Sequence, residues 1–232
     1  MLRCSICGAS EFTSQAVLWP ELASAWGLSA EEVSYVNQQQ GCACTACGAS
    51  LRVVALGDAI RDAFATKFNV QDFAGDSRLQ KLRILDLNGA AAISGALARL
   101  SGYVLGNFPE VDMEALPYPS GSFDLIVHSD TLEHVPHPVR GLEECRRVLK
   151  PGGRLCFTIP VIVGRLTRSR EGLPKSWHGD PSETADDFLV HTEFGADMWA
   201  FAMRAGFDRV TIHQVAYPAA TAITAWNGNA EA

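Results

Sequence analysis

From residue 82 onward, short apolar runs alternate with segments of helical periodicity, and this alternation restricts the fold more than any other feature. The first runs are RILDL, GYVLG and FDLIVHS, and the helical segment AAISGALARL lies between the first two. FDLIVHS is apolar almost throughout, which is typical of a parallel strand buried on both faces. The pattern predicts an α/β fold in which helices cover a mostly parallel, doubly wound, Rossmann-like sheet.

The segment HPVRGLEECRRVLKPGG contains the clearest helix of the chain. This helix is expected to begin after Pro138 and to end at Pro151-Gly152-Gly153, with its apolar residues on one stripe. Farther along, RLCFTIP, DRVTIHQ and AAITAW predict strands, whereas TEFGADMWAFAMRAGF predicts a helix. These elements extend the predicted sheet to the end of the chain.

Four of the seven cysteines form two CxxC pairs, each followed by glycine: Cys4, Cys7, Cys44 and Cys47. A glycine at that position allows a sharp turn, so that both thiolates of a pair can face one ion. The pattern predicts a tetrahedral zinc site with four sulfur ligands. Disulfides or unused thiols are the alternative, and a reducing compartment disfavours them. Cys42 could replace Cys44, although only Cys44 gives the two-residue gap.

The two CxxC pairs define a small N-terminal zinc-binding module, residues 1–66. Within it, a capping box of Ser29 and Glu32 predicts a helix over residues 30–40, and a second helix is expected over 50–66. Residues 67–80 are interpreted as a linker and 81–232 as the sheet domain. The module offers only Arg3 and Arg52 as basic residues near the cysteines, which favours a structural role over binding of a nucleic acid or a protein.

Length and charge narrow the function classes. The 232 residues are 47% hydrophobic and carry a net charge of −7, which disfavours general nucleic-acid binding and favours a small-molecule partner. No apolar run approaches the ~20 residues of a membrane span, and the first residues lack the apolar core of a signal peptide. We therefore predict a cytoplasmic protein. The sequence does not indicate its oligomeric state.

The segment LPYPSGSFDLIVHSDTLEHVPHPVRGLEECRRVLKPGGRLCFTIP resembles the middle section of the class I methyltransferases that use S-adenosylmethionine, of the methyltransferase type 11 kind. The landmarks are Leu116-Pro117, Phe123-Asp124, residues 132–135 (LEHV) and 147–153 (RVLKPGG). The resemblance covers about residues 82–214, and 101–160 are its firmest part. It implies a Rossmann-like fold and S-adenosylmethionine as the cofactor.

The resemblance also assigns a cofactor loop after the first strand. Asp86 corresponds to the acidic residue that meets the ammonium group of the cofactor, and the helix after it can receive the carboxylate. Two of the family's glycine positions fall on Asn88 and Ala90, and the third falls on Ala92; Gly89 takes an intervening place. Asparagine tolerates positive φ better than other residues, and alanine is the smallest departure from glycine. We expect a weakened loop that still binds.

Asp86 and Asp124 are only 38 positions apart, which is too short for two βαβ units of roughly 30 residues each. One crossover helix is therefore expected to be trimmed to a loop. Asn107, or Glu110, takes the place of the residue that binds the ribose.

The segment VDMEALP matches the family's adenine-binding segment. The resemblance implies that Asp112 accepts a hydrogen bond from the exocyclic amine and that Met113 packs on the ring, although Asp112 could be an ordinary loop carboxylate. Ser129, at the end of the FDLIVHS strand, completes the expected cofactor set.

Methyl transfer requires alignment and exclusion of water more than a side-chain nucleophile. His134 follows a strand at the edge where ligands bind and is a candidate base, or else only starts a helix. Residues 161–193 are expected to form a lid that selects the substrate, with His178, oriented by Asp180, as a second candidate. Arg165, Arg168 and Arg170 could hold an anion, but a solvated loop is the plainer interpretation.

Two functions remain open at this point. The first is methyl transfer to a small molecule such as a sugar or a secondary metabolite. The second is a catalytically inactive methyltransferase-like protein that serves as a binding or scaffold protein with a structural zinc site. A nicotinamide-dependent dehydrogenase fits less well, because it requires a glycine-rich loop and leaves the LPYPSGSFDLIV segment unexplained.

Overall fold

The N-terminal part of the chain consists of two short antiparallel strands and three helices. The structure is a computed structural model and describes residues 2–177 and 186–228. In chain order the elements are β1 (Phe12–Ser14), α1 (Pro20–Ala25), α2 (Ala30–Gly41), β2 (Cys42–Cys44) and α3 (Leu51–Ala63).

Two of these helices begin at serine caps, as the sequence predicts. Ser29 accepts a hydrogen bond from the Glu32 backbone while the Glu32 side chain accepts from the Ser29 backbone at 2.7 Å, so that α2 has a complete capping box. Ser50 caps α3 through the Val53 backbone N–H. Both predicted helices are confirmed, and α3 ends at Ala63, a little before the predicted residue 66.

The rest of the chain forms the main sheet and a smaller one. The elements are β3 (Ile84–Leu87), α4 (Ala92–Leu97), β4 (Tyr103–Gly106), β5 (Phe123–Ser129), α5 (Pro138–Val148), β6 (Leu149–Thr158), β7 (Val161–Ile162), β8 (Arg168–Ser169), β9 (Thr192–Gly195), α6 (Trp199–Arg204), β10 (Arg209–Val215) and β11 (Ala220–Trp226).

The main sheet has six strands in the order β10-β11-β6-β5-β3-β4. The four strands β6, β5, β3 and β4 are parallel, and β11 runs antiparallel to both of its neighbours. A central, mostly parallel sheet in an α/β fold is therefore confirmed. From β3 the chain proceeds first to β4 on one side and then to β5 on the other, so the order reverses between β3 and β5. Open α/β sheets bind ligands at the carboxyl ends of the strands beside such a reversal.

The connection from β4 to β5 is short. Within the described chain, residues 107–122 contain one 3-10 turn, Met113–Ala115, and no α-helix. The expected trimming of one crossover to a loop is confirmed.

Helix α3 packs directly against the main sheet. Its residues Val54 and Ile60 are fully buried in one core cluster with Ile84 of β3, Leu125 of β5 and Cys4 of the first CxxC pair. The cysteine-rich segment and the sheet therefore share a core. The division into a module over 1–66, a linker over 67–80 and a sheet domain over 81–232 stays a prediction.

One predicted element is wrong in its first part. The segment 192–207 was expected to be helical, but Thr192–Gly195 form β9, the middle strand of a three-stranded sheet with β7 and β8. All four residues of β9 are buried. Pairing with strands on both sides outweighs the local helical pattern, and α6 begins only at Trp199.

Among the described residues, no helix combines the length and the apolar character that crossing a bilayer requires. The cytoplasmic location stays a prediction.

Arg147, in the RVLKPGG segment, fastens the shortened connection to α5. Its guanidinium donates to both carboxylate oxygens of Glu144 at 2.7 Å and to the carbonyl oxygens of Tyr118 and Leu116 at 2.8 and 2.9 Å. The same carboxylate accepts from the Leu116 backbone N–H at 3.0 Å. This landmark residue thus shapes the loop that leads into β5.

Replacement of Arg147 by alanine is expected to lower the free energy of unfolding by about 2 kcal/mol, because two carbonyl groups lose their donor and the Glu144 carboxylate keeps only the Leu116 N–H. Chemical denaturation measures the change. Glu143, which is exposed on the same helix, provides the control, since Glu143→Ala should change stability by less than about 0.5 kcal/mol. Equal effects of the two substitutions would contradict the assigned role of Arg147.

Candidate cofactor and metal sites

The two CxxC pairs come together in space. The Sγ atoms of Cys4, Cys7, Cys44 and Cys47 all lie within 4.8 Å of one another. The Cys4–Cys47 and Cys7–Cys44 sulfur distances are both 3.6 Å. Four sulfurs at about 2.3 Å from a tetrahedral zinc ion would be about 3.8 Å apart, so the observed spacing suits such an ion.

The two pairs adopt the same local turn. Gly8 and Gly48 have φ angles of 83° and 73°, and each donates its backbone N–H to the carbonyl of the first cysteine of its pair at 2.8 Å. Positive φ at these positions is the reason for glycine. Cys42 is not part of the cluster of four.

The cysteine cluster is fixed to α3 on two sides. Ser5, between the first two cysteines, donates its hydroxyl to the Val54 carbonyl at 2.6 Å, and the neighbouring Ile6 is fully buried. A Cβ on Gly57 would lie 2.4 Å from the Ser5 hydroxyl, so the absence of a side chain there allows this close packing. The second pair is followed directly by the Ser50 cap of α3.

Asp86 lies in β3 near its carboxyl end and is fully buried. Its Oδ2 atom accepts a hydrogen bond from the Tyr103 hydroxyl at 2.8 Å, while Oδ1 accepts no hydrogen bond of normal geometry from the described residues. The Ser94 hydroxyl and the Ala90 backbone N–H nevertheless lie near enough to this carboxyl group to oppose the rise of its pKa. Burial raises the pKa of this carboxyl group above its ordinary value. One unpaired oxygen of a buried carboxylate suits an ammonium donor, which is the group that the family's acidic residue receives.

The loop after β3 takes conformations that glycine usually adopts. Asn88, Gly89 and Ala91 have φ angles of 61°, 79° and 50°. The Asn88 side chain accepts from the Phe108 backbone N–H at 2.8 Å, which ties the loop to the end of β4. Asparagine therefore substitutes for glycine at one position, as expected.

The alanine methyl group at position 90 does not crowd the outside of this loop. Ala90 is fully buried and belongs to the core cluster beneath the sheet edge. At Gly89 an added Cβ would make only an ordinary contact, with the Ser94 hydroxyl at 3.8 Å. The backbone at Gly89 is therefore not tightly packed against the rest of the described chain.

Several of the other predicted cofactor residues are engaged in local structure. Asn107 is exposed, and its carbonyl accepts from the Val111 N–H at 2.8 Å. Asp112 caps the 3-10 turn by accepting from the Glu114 N–H at 2.8 Å. Met113 is 5% exposed and lies in the core that includes Val135. Their cofactor roles stay predictions.

The carboxyl end of β5 contains an ion pair that the sequence did not suggest. Asp130, with a φ of 52°, pairs with Arg52 of α3 at 2.8 Å, and the Arg52 side chain is only 7% exposed. The neighbouring Ser129 shares a hydrogen bond with the Thr158 hydroxyl at 2.9 Å. His128 of β5 lies opposite Leu87 of β3. Ser129 and Asp130, which follow His128, therefore lie at the same carboxyl end of the parallel strands as Asn88, which follows Leu87.

His134 lies at the same end of the sheet, in a 3-10 turn after β5. Its side chain is 14% exposed, and its Nδ1 atom lies 3.1 Å from the Leu189 carbonyl oxygen while Nε2 lies 3.6 Å from Glu133. The second candidate base, His178, and its partner Asp180 lie outside the described residues. His128, which the sequence did not single out, is fully buried, and this burial lowers its pKa to about 4.

Carboxylates engage all three arginines of the predicted lid. Arg165 pairs with Glu32 of α2 at 2.7 Å, and this guanidinium lowers the pKa of Glu32 to about 2. Arg168 pairs with Glu193 of β9 at 2.6 Å, and Arg170 pairs with the same carboxylate. Because a carboxylate already pairs with each of them, these three arginines do not form a site for a separate anion.

Comparison with known proteins gives a family for the central segment. Residues 80–157 match the model of a methyltransferase domain. The ubiquinone/menaquinone biosynthesis C-methyltransferase UbiE of Pseudomonas fluorescens is 31% identical over 147 residues, which cover 57% of each chain. A chloroplastic 2-methyl-6-phytyl-1,4-hydroquinone methyltransferase of rice, Oryza sativa subsp. japonica, is 47% identical over 55 residues, covering 24% of this chain and 17% of the rice protein.

The chain therefore spans little more than half of the length of one relative and less of the other.

A solved S-adenosylmethionine-dependent methyltransferase of Thermotoga maritima, a possible histamine N-methyltransferase, superposes with a TM-score of 0.42 at 19% identity over 74% of this chain and 98% of that one. That likeness is too distant to carry an argument. The sequence matches support a methyltransferase domain in the central segment of the chain.

Ala91 is a strained position at this site. It has φ 50° and ψ −128° immediately before α4, a conformation that costs a residue with a Cβ about 1–3 kcal/mol. Ala91→Gly is expected to raise the free energy of unfolding by about 1 kcal/mol. The control is Ala98→Gly at the other end of the same helix, where φ is −61° and glycine should destabilise. Denaturant melts compare the two, and a loss of stability in both would show that the Ala91 backbone is unstrained.

Proposed function

We propose that this chain is an S-adenosylmethionine-dependent methyltransferase that acts on a small molecule. The observation that carries the proposal is the buried Asp86 carboxylate near the carboxyl end of β3, whose Oδ1 atom accepts no hydrogen bond of normal geometry from the described residues. A buried carboxylate oxygen without a donor is costly, and a cationic ligand removes that cost. The loose packing at Gly89, in the loop that follows β3, supports the same placement.

The cofactor, when bound, supplies an activated methyl group on a sulfonium. In this proposal Asp86 holds the ammonium group, and the backbone at exposed Asn88 and half-buried Gly89 accommodates the adjoining part. Tyr103 keeps Asp86 in place through its 2.8 Å hydrogen bond. Asn107, Asp112 and Ser129 remain the candidates for the ribose and the adenine, with Met113 contributing from the core.

Besides binding the cofactor, the protein must align the acceptor with the methyl group and exclude water. His134 is our candidate for removing a proton from a hydroxyl acceptor, since it lies at the same edge and keeps part of its ring exposed. His178 remains a second candidate. The acceptor is proposed to be a small molecule, since the names of the two relatives describe methyltransferases that act on small molecules or in their biosynthesis.

We also propose that the four clustered cysteines bind one structural zinc ion. The cluster is at least partly buried and is joined to α3 through Ser5 and Ile6. In this proposal the ion keeps the N-terminal loops folded on α3 and takes no part in methyl transfer.

Titration calorimetry with S-adenosylmethionine tests the cofactor proposal. We expect a micromolar Kd for the wild-type protein and at least a tenfold weaker one for Asp86→Asn, which removes the charge that receives the ammonium group. Asp72→Asn, at an exposed residue of a 3-10 turn, serves as the control and should bind like the wild type. Absence of binding to a folded wild-type protein would favour the inactive scaffold instead.

Asp86→Asn should also make the cofactor-free protein more stable at neutral pH, by about 2–4 °C for an effect of 1 kcal/mol. Because burial raises the pKa of Asp86, the folded state holds this proton more tightly than the unfolded state. The carboxyl group therefore favours folding below its ordinary pKa of 3.8 and loses that contribution as the pH rises. Thermal melts from pH 4 to 8 should show the advantage of the variant growing with pH; a constant difference would contradict this.

Metal analysis tests the zinc proposal. The purified protein should contain about one zinc ion per chain, and a Cys4→Ser/Cys44→Ser variant should lose it together with much of its stability. Cys42→Ser is the matched control, because Cys42 lies outside the cluster and should leave the metal content unchanged. Full metal content in the double variant would refute the assignment.

A further inference from the structure

A cavity of about 190 Å³ lies between the N-terminal helices and the chain that leaves β6. We propose that this cavity is the acceptor pocket, and that it takes a single apolar ring carrying one hydrogen-bond donor. The inference rests on the proposed methyltransferase function. We refer to this pocket as the N-terminal cavity. The lining side chains that the argument uses include Leu18, Trp19, Leu22, Trp26, Leu28 and Ile162.

The lining of the N-terminal cavity selects against charged and heavily hydroxylated acceptors. None of the described residues that line it carries a charge, and apart from Gln39 and Gln40 they are aliphatic or aromatic residues and proline. A phosphate or carboxylate would lose its hydration there without gaining a cation. A sugar would leave most of its hydroxyl groups without partners, so the sugar option of the sequence analysis is disfavoured.

The size of the N-terminal cavity indicates one ring. An apolar cavity of about 150 Å³ is enough to bind benzene in a protein interior. At about 190 Å³ the cavity has room for one ring with small substituents, but not for two fused rings with side chains. The two tryptophan side chains offer flat surfaces for such a ring.

One polar group in the lining defines the expected donor. Gln39 is 2% exposed and donates its Nε2 to the Val161 carbonyl at 3.0 Å. Its Oε1 atom has no hydrogen-bond partner among the described residues. A hydroxyl or amine on the ring would satisfy this oxygen, and an acceptor of methyl groups commonly carries such a group.

The N-terminal cavity lies beside the sheet edge that holds the candidate cofactor site. Pro160 follows β6 at its carboxyl end, and β6 is parallel to β5. On the helix side, the Gln40 amide oxygen accepts from Arg52 at 2.7 Å once the amide is oriented to satisfy both groups. Arg52 in turn pairs with Asp130 after β5. The Arg52 side chain alone therefore connects Gln40, in the lining of the cavity, with Asp130 at the carboxyl end of β5.

One wall of the N-terminal cavity, at Trp26, is held by residues of the segment 161–193 that the sequence predicts to be a lid. The Trp26 indole donates to the Ser176 hydroxyl at 2.9 Å, and Arg165 donates to the Trp26 carbonyl at 3.0 Å. Arg170 lies over the Trp26 ring at 5.3 Å. These contacts hold Trp26 between the N-terminal helices and residues 165–176, so that this wall of the cavity is fixed from both sides.

Calorimetric titration with para-cresol, and with its methyl ether para-methylanisole, tests this inference on the full chain. We expect para-cresol to bind with a Kd below about 1 mM and at least five times more tightly than the ether, which lacks the donor. Leu22→Trp and Leu28→Trp, which fill the cavity, should each weaken binding of para-cresol at least tenfold. Leu166→Trp is the control, since Leu166 is 74% exposed and lies outside the lining.

Gln39→Leu provides an independent variant, in which the preference for para-cresol over the ether should fall to about one. The inference would be overturned if para-cresol did not bind the wild type, or if both filled variants bound it as tightly as the wild type does. Titration of the same variants with S-adenosylmethionine separates the two proposals. If the ring compounds bind as expected and S-adenosylmethionine does not, the proposed methyltransferase function fails. The N-terminal cavity is then a binding site for a ring compound, but not for a methyl acceptor.

Discussion

The burial of α3 between the cysteine cluster and the main sheet is the interaction on which the rest of the structure depends. One end of this helix receives Ser5 and Ile6 from the first CxxC pair, and its inner face lies against the sheet. The same burial brings Arg52 to Asp130 at the carboxyl end of β5. A change that moves α3 would therefore disturb the cysteines, the cofactor edge and the Arg52–Gln40 contact together.

The candidate cofactor loop illustrates how a sequence can lose glycines and keep a site. Positive φ is supplied by Asn88 and Gly89, and the methyl group of Ala90 packs inward rather than toward a ligand. The strain is concentrated at Ala91. A strained residue next to a ligand loop is a common arrangement at functional sites, because the surrounding packing maintains it. The reduced loop is thus compatible with binding.

Sequence patterns predicted the sheet well because a buried parallel strand such as FDLIVHS needs an apolar run, and caps such as Ser29 act locally. They failed where distant residues decide the outcome. Pairing on both sides makes Thr192–Gly195 a strand, and the Arg52–Asp130 pair joins positions 78 apart along the chain. The unpaired Oδ1 of Asp86 and the N-terminal cavity likewise follow only from three-dimensional packing.

The central claim is that a sulfonium nucleoside binds at the edge formed by Asp86, the loop at Gly89 and the end of β5. The most direct measurement is a backbone amide NMR titration of the isotope-labelled protein with S-adenosylhomocysteine. The account predicts that the largest shift changes cluster at residues 86–91, 107–113 and 128–131. Changes confined to other surfaces, or none at saturating ligand, would contradict it.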